Sequence, residues 1–133
     1  MPKRLVVAAG LVRRPSDDLI LMTRRPSGKH LAHFWEFPGG KVEVGEAPEM
    51  TVRRELREEL NIEVDVRDVF AVGHHVYPSR EVILIVYEVI LVGGVPVGME
   101  SQEFEWMSAQ QILGLELPPA DKPVIDRLAR ERT

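Results

Sequence analysis

The chain contains no cysteine. That removes disulfide staples, thiol nucleophiles and zinc–thiolate sites, and it fits a reducing compartment. Nor is there an excess of basic residues: 17 Lys and Arg face 21 Asp and Glu, a formal net charge of −4. A sequence-wide pull toward nucleic acid or an anionic membrane is therefore missing, so a polyphosphate ligand has to be held by local cations and a metal. No apolar run approaches the roughly 20 residues that a membrane-spanning helix needs. A secretion signal is not evident either, because the apolar stretch after Met1-Pro2-Lys3-Arg4 is broken at Gly10 and charged at Arg13. The cytoplasm is the expected location. The four histidines, His30, His33, His74 and His75, show no metal-ligand spacing, and His74 and His75 would face opposite sides of a strand. What remains is ordinary for a globular protein, at 44% hydrophobic and 29% charged residues. A length of 133 residues suits one domain, 1–133, with its own core.

The hydrophobic pattern predicts a buried strand over 5–12 and a turn over 13–18 containing Pro15. A second strand over 19–23 makes a hairpin with the first. Residues 26–34 read as a loop leading to a Pro38-Gly39-Gly40 turn. A helix is expected over 47–60, with Pro48 tolerated in its first turn and Glu46 and Glu49 near its positive end. Strands follow over 63–77, interrupted near Asp68, over 82–92, and over 104–107. Ser108 caps a short helix to 113, and Pro118-Pro119-Ala120-Asp121 leads into a closing helix over 123–130. Strands and helices in this irregular order suggest an α/β (α+β) arrangement, a mixed sheet sandwiched by helices.

The helix over 47–60 carries the chemistry. Glu55, Glu58 and Glu59 stand at i, i+3 and i+4, so their carboxylates leave one face within a single turn. Such crowding repels, and a hard divalent cation such as Mg²⁺ turns repulsion into binding. The plain alternative is a solvated face tied by ion pairs, since Glu49–Arg53 and Arg54–Glu58 both stand at i, i+4. Against it, the apolar stripe of Val52, Leu56 and Leu60 runs directly beside the acids rather than opposite them, as at the rim of a cleft.

The full run is Gly40, five residues, Glu46, seven residues, Arg54-Glu55-Leu56, one residue, Glu58-Glu59, one residue, Asn61-Ile62. It resembles the Nudix box at every fixed position but one, where Asn61 replaces the family's Gly. The position follows the helix end, where positive φ is often needed and Asn is the next most tolerant residue. The likeness to the MutT-like branch of the Nudix family covers nearly the whole chain. It includes Thr23-Arg24-Arg25, Glu36-Phe37-Pro38-Gly39-Gly40-Lys41, Arg80, Glu100 with Gln102, Glu105-Trp106-Met107-Ser108 and Pro118-Pro119-Ala120-Asp121.

The resemblance implies the Nudix fold, a mixed sheet in an α/β/α sandwich. It also implies Mg²⁺-dependent hydrolysis (Mn²⁺ the alternative) of nucleoside triphosphates to monophosphate and pyrophosphate. Glu55, Glu58, Glu59, Glu100 and the Gly39 carbonyl would be the metal ligands. Glu55 is the first choice for the base that activates water, with Glu58 and Glu100 in the catalytic set and Arg54 supporting the glutamates. Arg25 and Lys41 would contact phosphate; Arg24 reads as an ordinary surface base. Glu36, Phe37, Arg80 and Asp121 would hold the base. The family's oxidised-guanine enzymes have Asn at the Asp121 position. An ionised carboxylate only accepts, so Asp121 suits donor-rich edges, the cytosine amino group or the ring N–H and amino group of guanine, while a protonated one regains a donor. Asp121 as a mere helix cap is the competing reading. Clearance of oxidised nucleotides such as 8-oxo-dGTP and hydrolysis of cytidine triphosphates or their 5-modified forms therefore both stand. Removal of pyrophosphate from RNA 5′ ends is disfavoured by the acidic charge, and a non-catalytic nucleotide sensor by the intact set of acids. The expected partner is the nucleotide, with no stable nucleic-acid partner and no membrane. A monomer is expected, a dimer being the alternative.

Overall fold

The structure, a computed structural model, describes residues 3–26, 28, 32–100 and 102–131. Met1, Pro2 and His30, mentioned above, lie outside the described residues. The elements run β1 (Lys3–Arg13), β2 (Ile20–Arg24), β3 (Trp35–Glu36), β4 (Gly39–Lys41), α1 (Pro48–Leu60), β5 (Glu63–Val76), β6 (Arg80–Gly93), β7 (Glu103–Met107) and α2 (Ala109–Leu113). A 3₁₀ turn (Pro119–Asp121) then leads into α3 (Lys122–Glu131).

β1 organises the sheet. It lies parallel to β6 along its whole length, from Lys3↔Arg80 to Arg13↔Ile90. Its other edge is shared: β4 takes Val7, Ala8 and Ala9 through Lys41, Gly40 and Gly39, and β2 joins at Arg13↔Ile20. β5 pairs antiparallel with β6, while β2 carries β3 and β7. The alternation of side chains along β1 splits the core between two faces. On one face Val52, Leu56 and Leu60 of α1 pack on Ala8, Val12, Leu21 and Val89. On the other, Ile112, Val124 and Leu128 of α2 and α3 pack on Leu11, Met22, Phe70 and Val86. The result is the mixed-sheet α/β/α sandwich expected from the sequence.

The hairpin, α1, β5 to β7 and both later helices fall where the hydrophobic pattern put them. The break near Asp68 is a pair of register shifts, between Val66 and Val69 and between Val69 and Ala71. Ser108 caps α2 in a reciprocal box with Gln111. Asn61 adopts φ 57° and ψ 42°, the left-handed conformation that its place after the helix demanded. Two elements differ. Residues 35–36 and 39–41 pair as β3 and β4, where the sequence reading had a turn at Pro38-Gly39-Gly40. Gly39 has to be glycine here, because a Cβ would meet the Ala8 carbonyl and lie 2.5 Å from the Ala9 Cα.

Candidate active site

α1 begins without a side-chain cap on Ala47. Glu46 ties down that end instead: its Oε1 accepts from the Thr51 hydroxyl at 2.7 Å and the Glu43 amide at 3.2 Å. The Arg54 guanidinium grips the same carboxylate through Nε to Oε2 at 2.8 Å and Nη2 to Oε1 at 3.0 Å. Its Nη1 also donates to Glu55 Oε1 at 2.8 Å and to Glu58 Oε2 at 3.4 Å, and Nη2 to the Lys41 carbonyl at 3.3 Å. One planar cation thereby sets the spacing of three box glutamates and fastens α1 to β4. Arg54 and Thr51 hold the Glu46 carboxyl down at about 2, and Glu46 with Glu55 raises Arg54 in return.

Glu55 lies flat over the second glycine, where a Cβ on Gly40 would sit 2.5 Å from its carboxyl carbon. Glu59 is half-buried. Burial first, then the facing Glu55 and the charges of Glu100 and Glu36, push its carboxyl up to about 9. Glu58 is exposed and meets Arg54 alone among the ion pairs given above. Glu100 arrives from a distant segment latched onto the end of α1. The Val97 amide donates to the Leu60 carbonyl and the Met99 amide to the Glu59 carbonyl, both at 2.9 Å. Gln102 spans the two parts, its Nε2 donating to the Glu59 carbonyl at 3.4 Å and its Oε1 accepting from the Glu100 amide at 3.0 Å. These bonds satisfy helix-end carbonyls that would otherwise be orphaned.

Among the described residues, no three Asp, Glu or His side chains form a preassembled metal cage. The acid cluster nevertheless suits a hard divalent cation. Its donors are carboxylates, burial and then the neighbouring acids push the Glu59 carboxyl up, and the missing Cβ of Gly40 leaves the Glu55 carboxylate open.

Beside the cluster, β1 and β6 floor a cavity of about 580 Å³ with Leu5, Val7, Val82 and Leu84. Arg25, Glu36, Phe37, Gly39, Lys41, Glu55, Arg80 and Asp121 all line it, whereas Arg54, Glu58, Glu59 and Glu100 do not. Arg25 is engaged with Glu36, Nη1 to Oε2 at 2.7 Å, and burial raises the Glu36 carboxyl against the opposing pull of that arginine. Phe37 belongs to the core under α3 as well as to the cavity wall. Arg24 is a surface base, bonded to the His33 carbonyl and 3.6 Å from Glu103.

Asp121 is the least ordinary residue of the site. It is 5% exposed, and its Oδ2 has no hydrogen-bond partner. Burial first, then the Glu36 charge, pushes its carboxyl up to about 7. A capping carboxylate would spend its oxygens on helix amides; this Oδ2 accepts from none. Two neighbours went unnoticed in the sequence. The Tyr77 hydroxyl accepts from the Ala120 amide at 3.3 Å, and Gly73 leaves room for the Ala120 carbonyl. A glycine inside an apolar strand was the available signal, since it often marks a close backbone approach. His74 bonds Glu81 at 2.7 Å on the exposed side, and His75 packs on the Tyr77 ring. No helix among the described residues is long and apolar enough to cross a membrane.

Residues 3–128 match the model of the NUDIX domain. The chain is 40% identical over 128 residues to an 8-oxo-dGTP diphosphatase of Escherichia coli (strain K12), covering 96% of this chain and 98% of that protein. It is 36% identical over 124 residues to a CTP pyrophosphohydrolase of the same organism, covering 93% and 90%. A crystal structure of the MutT protein from Methanosarcina mazei Go1 superposes with a TM-score of 0.85 at 29% identity, covering 99% of this chain and 97% of that one. With the box acids on one helical turn and the matched fold around them, the chain belongs to the Nudix family and is a nucleotide pyrophosphohydrolase.

Proposed function

We propose that this enzyme uses Mg²⁺, with Mn²⁺ as the alternative, to convert nucleoside triphosphates to monophosphate and pyrophosphate, and that oxidised nucleotides such as 8-oxo-dGTP are its targets. One observation carries the reading. A single cavity holds both Glu55 with the glycine pair and a buried carboxyl, Asp121, whose Oδ2 is partnerless and so available to a ligand. The relative named as an 8-oxo-dGTP diphosphatase supports the same choice.

The metal would be held by Glu55, Glu58, Glu59, Glu100 and the Gly39 carbonyl. When bound there it neutralises phosphate charge and acidifies a water. The protein supplies position and proton handling. Arg54, bonded to Glu55 Oε1, fixes one oxygen of that carboxylate and leaves the other to take the proton of the attacking water. Lys41 and Arg25 face the cavity as cations for the phosphate chain, Arg25 steadied by Glu36. The apolar floor excludes water from the base, which makes each polar contact there more discriminating. Asp121 then reads the base edge: ionised, it accepts from two donors; protonated, it donates and accepts as an amide would. With its carboxyl at about 7, both forms are populated near neutrality.

The relative named as a CTP pyrophosphohydrolase supports a second reading, a preference for cytidine triphosphates. Steady-state kcat/KM over 8-oxo-dGTP, dGTP, dCTP, CTP and 5-modified cytidine triphosphates separates the two. The expected result is pyrophosphate release with 8-oxo-dGTP ahead of dGTP by about 10⁴-fold, the discrimination reached when the poorer substrate leaves a site's buried polar groups unpaired. A cytidine nucleotide in first place establishes the second reading. Absence of pyrophosphate from every triphosphate ends both.

A further inference from the structure

We propose that Tyr77 sets the base selectivity of this enzyme as a positioning residue, its hydroxyl seating the 3₁₀ turn that carries Asp121. The inference deepens the reading above and rests on Asp121 as the group that meets the base.

Gly73 and His75 share one face of β5, and Tyr77, the first residue past its end, continues their alternation. Both polar groups of Ala120, the residue next to Asp121, lie against that side of the sheet. The Ala120 amide donates to the Tyr77 hydroxyl at 3.3 Å, and the Ala120 carbonyl occupies space that a Cβ on Gly73 would fill. Tyr77 and Ala120 are 7% and 3% exposed, so water is poorly placed to replace the bond. The phenol itself stands on a firm base. His75 packs edge-on against its ring at 4.6 Å between centroids. The Tyr77 amide donates to the Arg80 carbonyl at 2.7 Å, and the Arg80 amide returns the bond at 3.3 Å, closing the turn into β6. One residue pair thus ties Asp121 to Arg80, another residue of the cavity wall.

Nothing holds Asp121 Oδ2 from the side-chain end. Its aim is consequently inherited from the backbone of the 3₁₀ turn, which is closed by the Asp121 amide donating to the Pro118 carbonyl at 2.9 Å and seated on the sheet by Ala120. Discrimination between base edges needs placement to within about 0.5 Å, so removing the acceptor of the Ala120 amide transfers directly to selectivity. Leaving the buried Ala120 amide without its acceptor costs enough to favour a shift of the turn that regains one.

Tyr77→Phe keeps the ring and deletes the hydroxyl. The expected result is a change of about tenfold in the ratio of kcat/KM for 8-oxo-dGTP over CTP, carried by KM rather than kcat. Combining Tyr77→Phe with Asp121→Asn should move that ratio no further than Asp121→Asn alone, because both act through one group. Tyr87→Phe is the control. It removes a phenol hydroxyl bonded to Glu49 at 3.2 Å beneath the first turn of α1, and should leave the ratio within about twofold of the parent. Where Tyr77→Phe is only partly folded, the ratio is still read, because the folded fraction is common to both substrates and cancels from it. A parental ratio in Tyr77→Phe, with a changed ratio in Asp121→Asn, overturns the role of Tyr77 and leaves that of Asp121 standing. Unchanged ratios in both overturn the two together, and full additivity in the double variant shows that Tyr77 does not act through Asp121.

Discussion

Glu55→Gln is expected to lower kcat on a nucleoside triphosphate by about a thousandfold or more while the protein stays folded. The substitution keeps the shape that lies over Gly40 and keeps an oxygen for Arg54 Nη1. What disappears is the negative charge and the ability to take a proton from water. The amide also gains two donors, and the nearest acid that faces it is Glu59, whose carboxyl stands at about 9 partly because Glu55 is charged. The raised Glu59 carboxyl already shares a hydrogen bond with Glu55, and the amide oxygen can keep it, so the metal-free protein stays as stable as the parent or more so. The combination is the diagnostic: a collapse of kcat beside an unchanged or raised Tm. Parental turnover would remove Glu55 from the chemistry, and a lowered Tm would mean that its charge is structural.

Asp121→Asn should change how stability depends on pH. The folded-state carboxyl lies near 7, against 3.8 for a free aspartate side chain, because burial and the Glu36 charge disfavour its ionised form. The native state therefore binds this proton more tightly than the unfolded chain does. Below about pH 4 the group is protonated in both states and costs nothing. As pH rises from about 4 to 7 only the unfolded chain releases the proton, so stability falls, and above 7 the full penalty is present. A shift of this size corresponds to a few kcal/mol. Asparagine cannot ionise and escapes that loss, although its own buried amide requires partners. Urea melts of both proteins should therefore diverge with pH. The variant gains on the parent by a few kcal/mol between pH 4 and pH 8, because the cost of the buried amide is the same at every pH and drops out of that difference. Glu59 slopes the same way up to about 9 in both proteins and cancels in the comparison. Parallel curves would show that Asp121 is ionised in the fold without cost.

Much of the molecule was written locally. The acids of α1 were legible because three carboxylates at i, i+3 and i+4 beside Val52, Leu56 and Leu60 leave few arrangements other than a helix at a cleft. Asn61 was legible because position after a helix and residue type gave the same conformation. β3 and β4 were not. Strands of two and three residues, one of them containing two glycines, have no alternation to detect, and pairing of β3 with β2 and of β4 with β1 is what makes them strands. The pairing of Arg25 with Glu36, the latch of the 97–102 segment on α1 and the seat of Ala120 on Tyr77 share a different obstacle. Each joins residues far apart in the chain, 43 positions in the case of Tyr77 and Ala120, and long-range contacts leave no period in a sequence. Asp121 was visible as a residue type; its buried Oδ2 without a partner was not, since burial of one oxygen is a property of the packed fold.

Metal occupancy is the point on which the chemistry turns. Crystals grown with Mn²⁺ and a non-hydrolysable triphosphate, measured for anomalous scattering, test it directly. A strong anomalous peak among the carboxylates of Glu55 and Glu59 and the Gly39 carbonyl, with the phosphate chain beside it, is the expected result. A peak elsewhere, or no peak there with those side chains turned out to solvent while the nucleotide is bound, contradicts it.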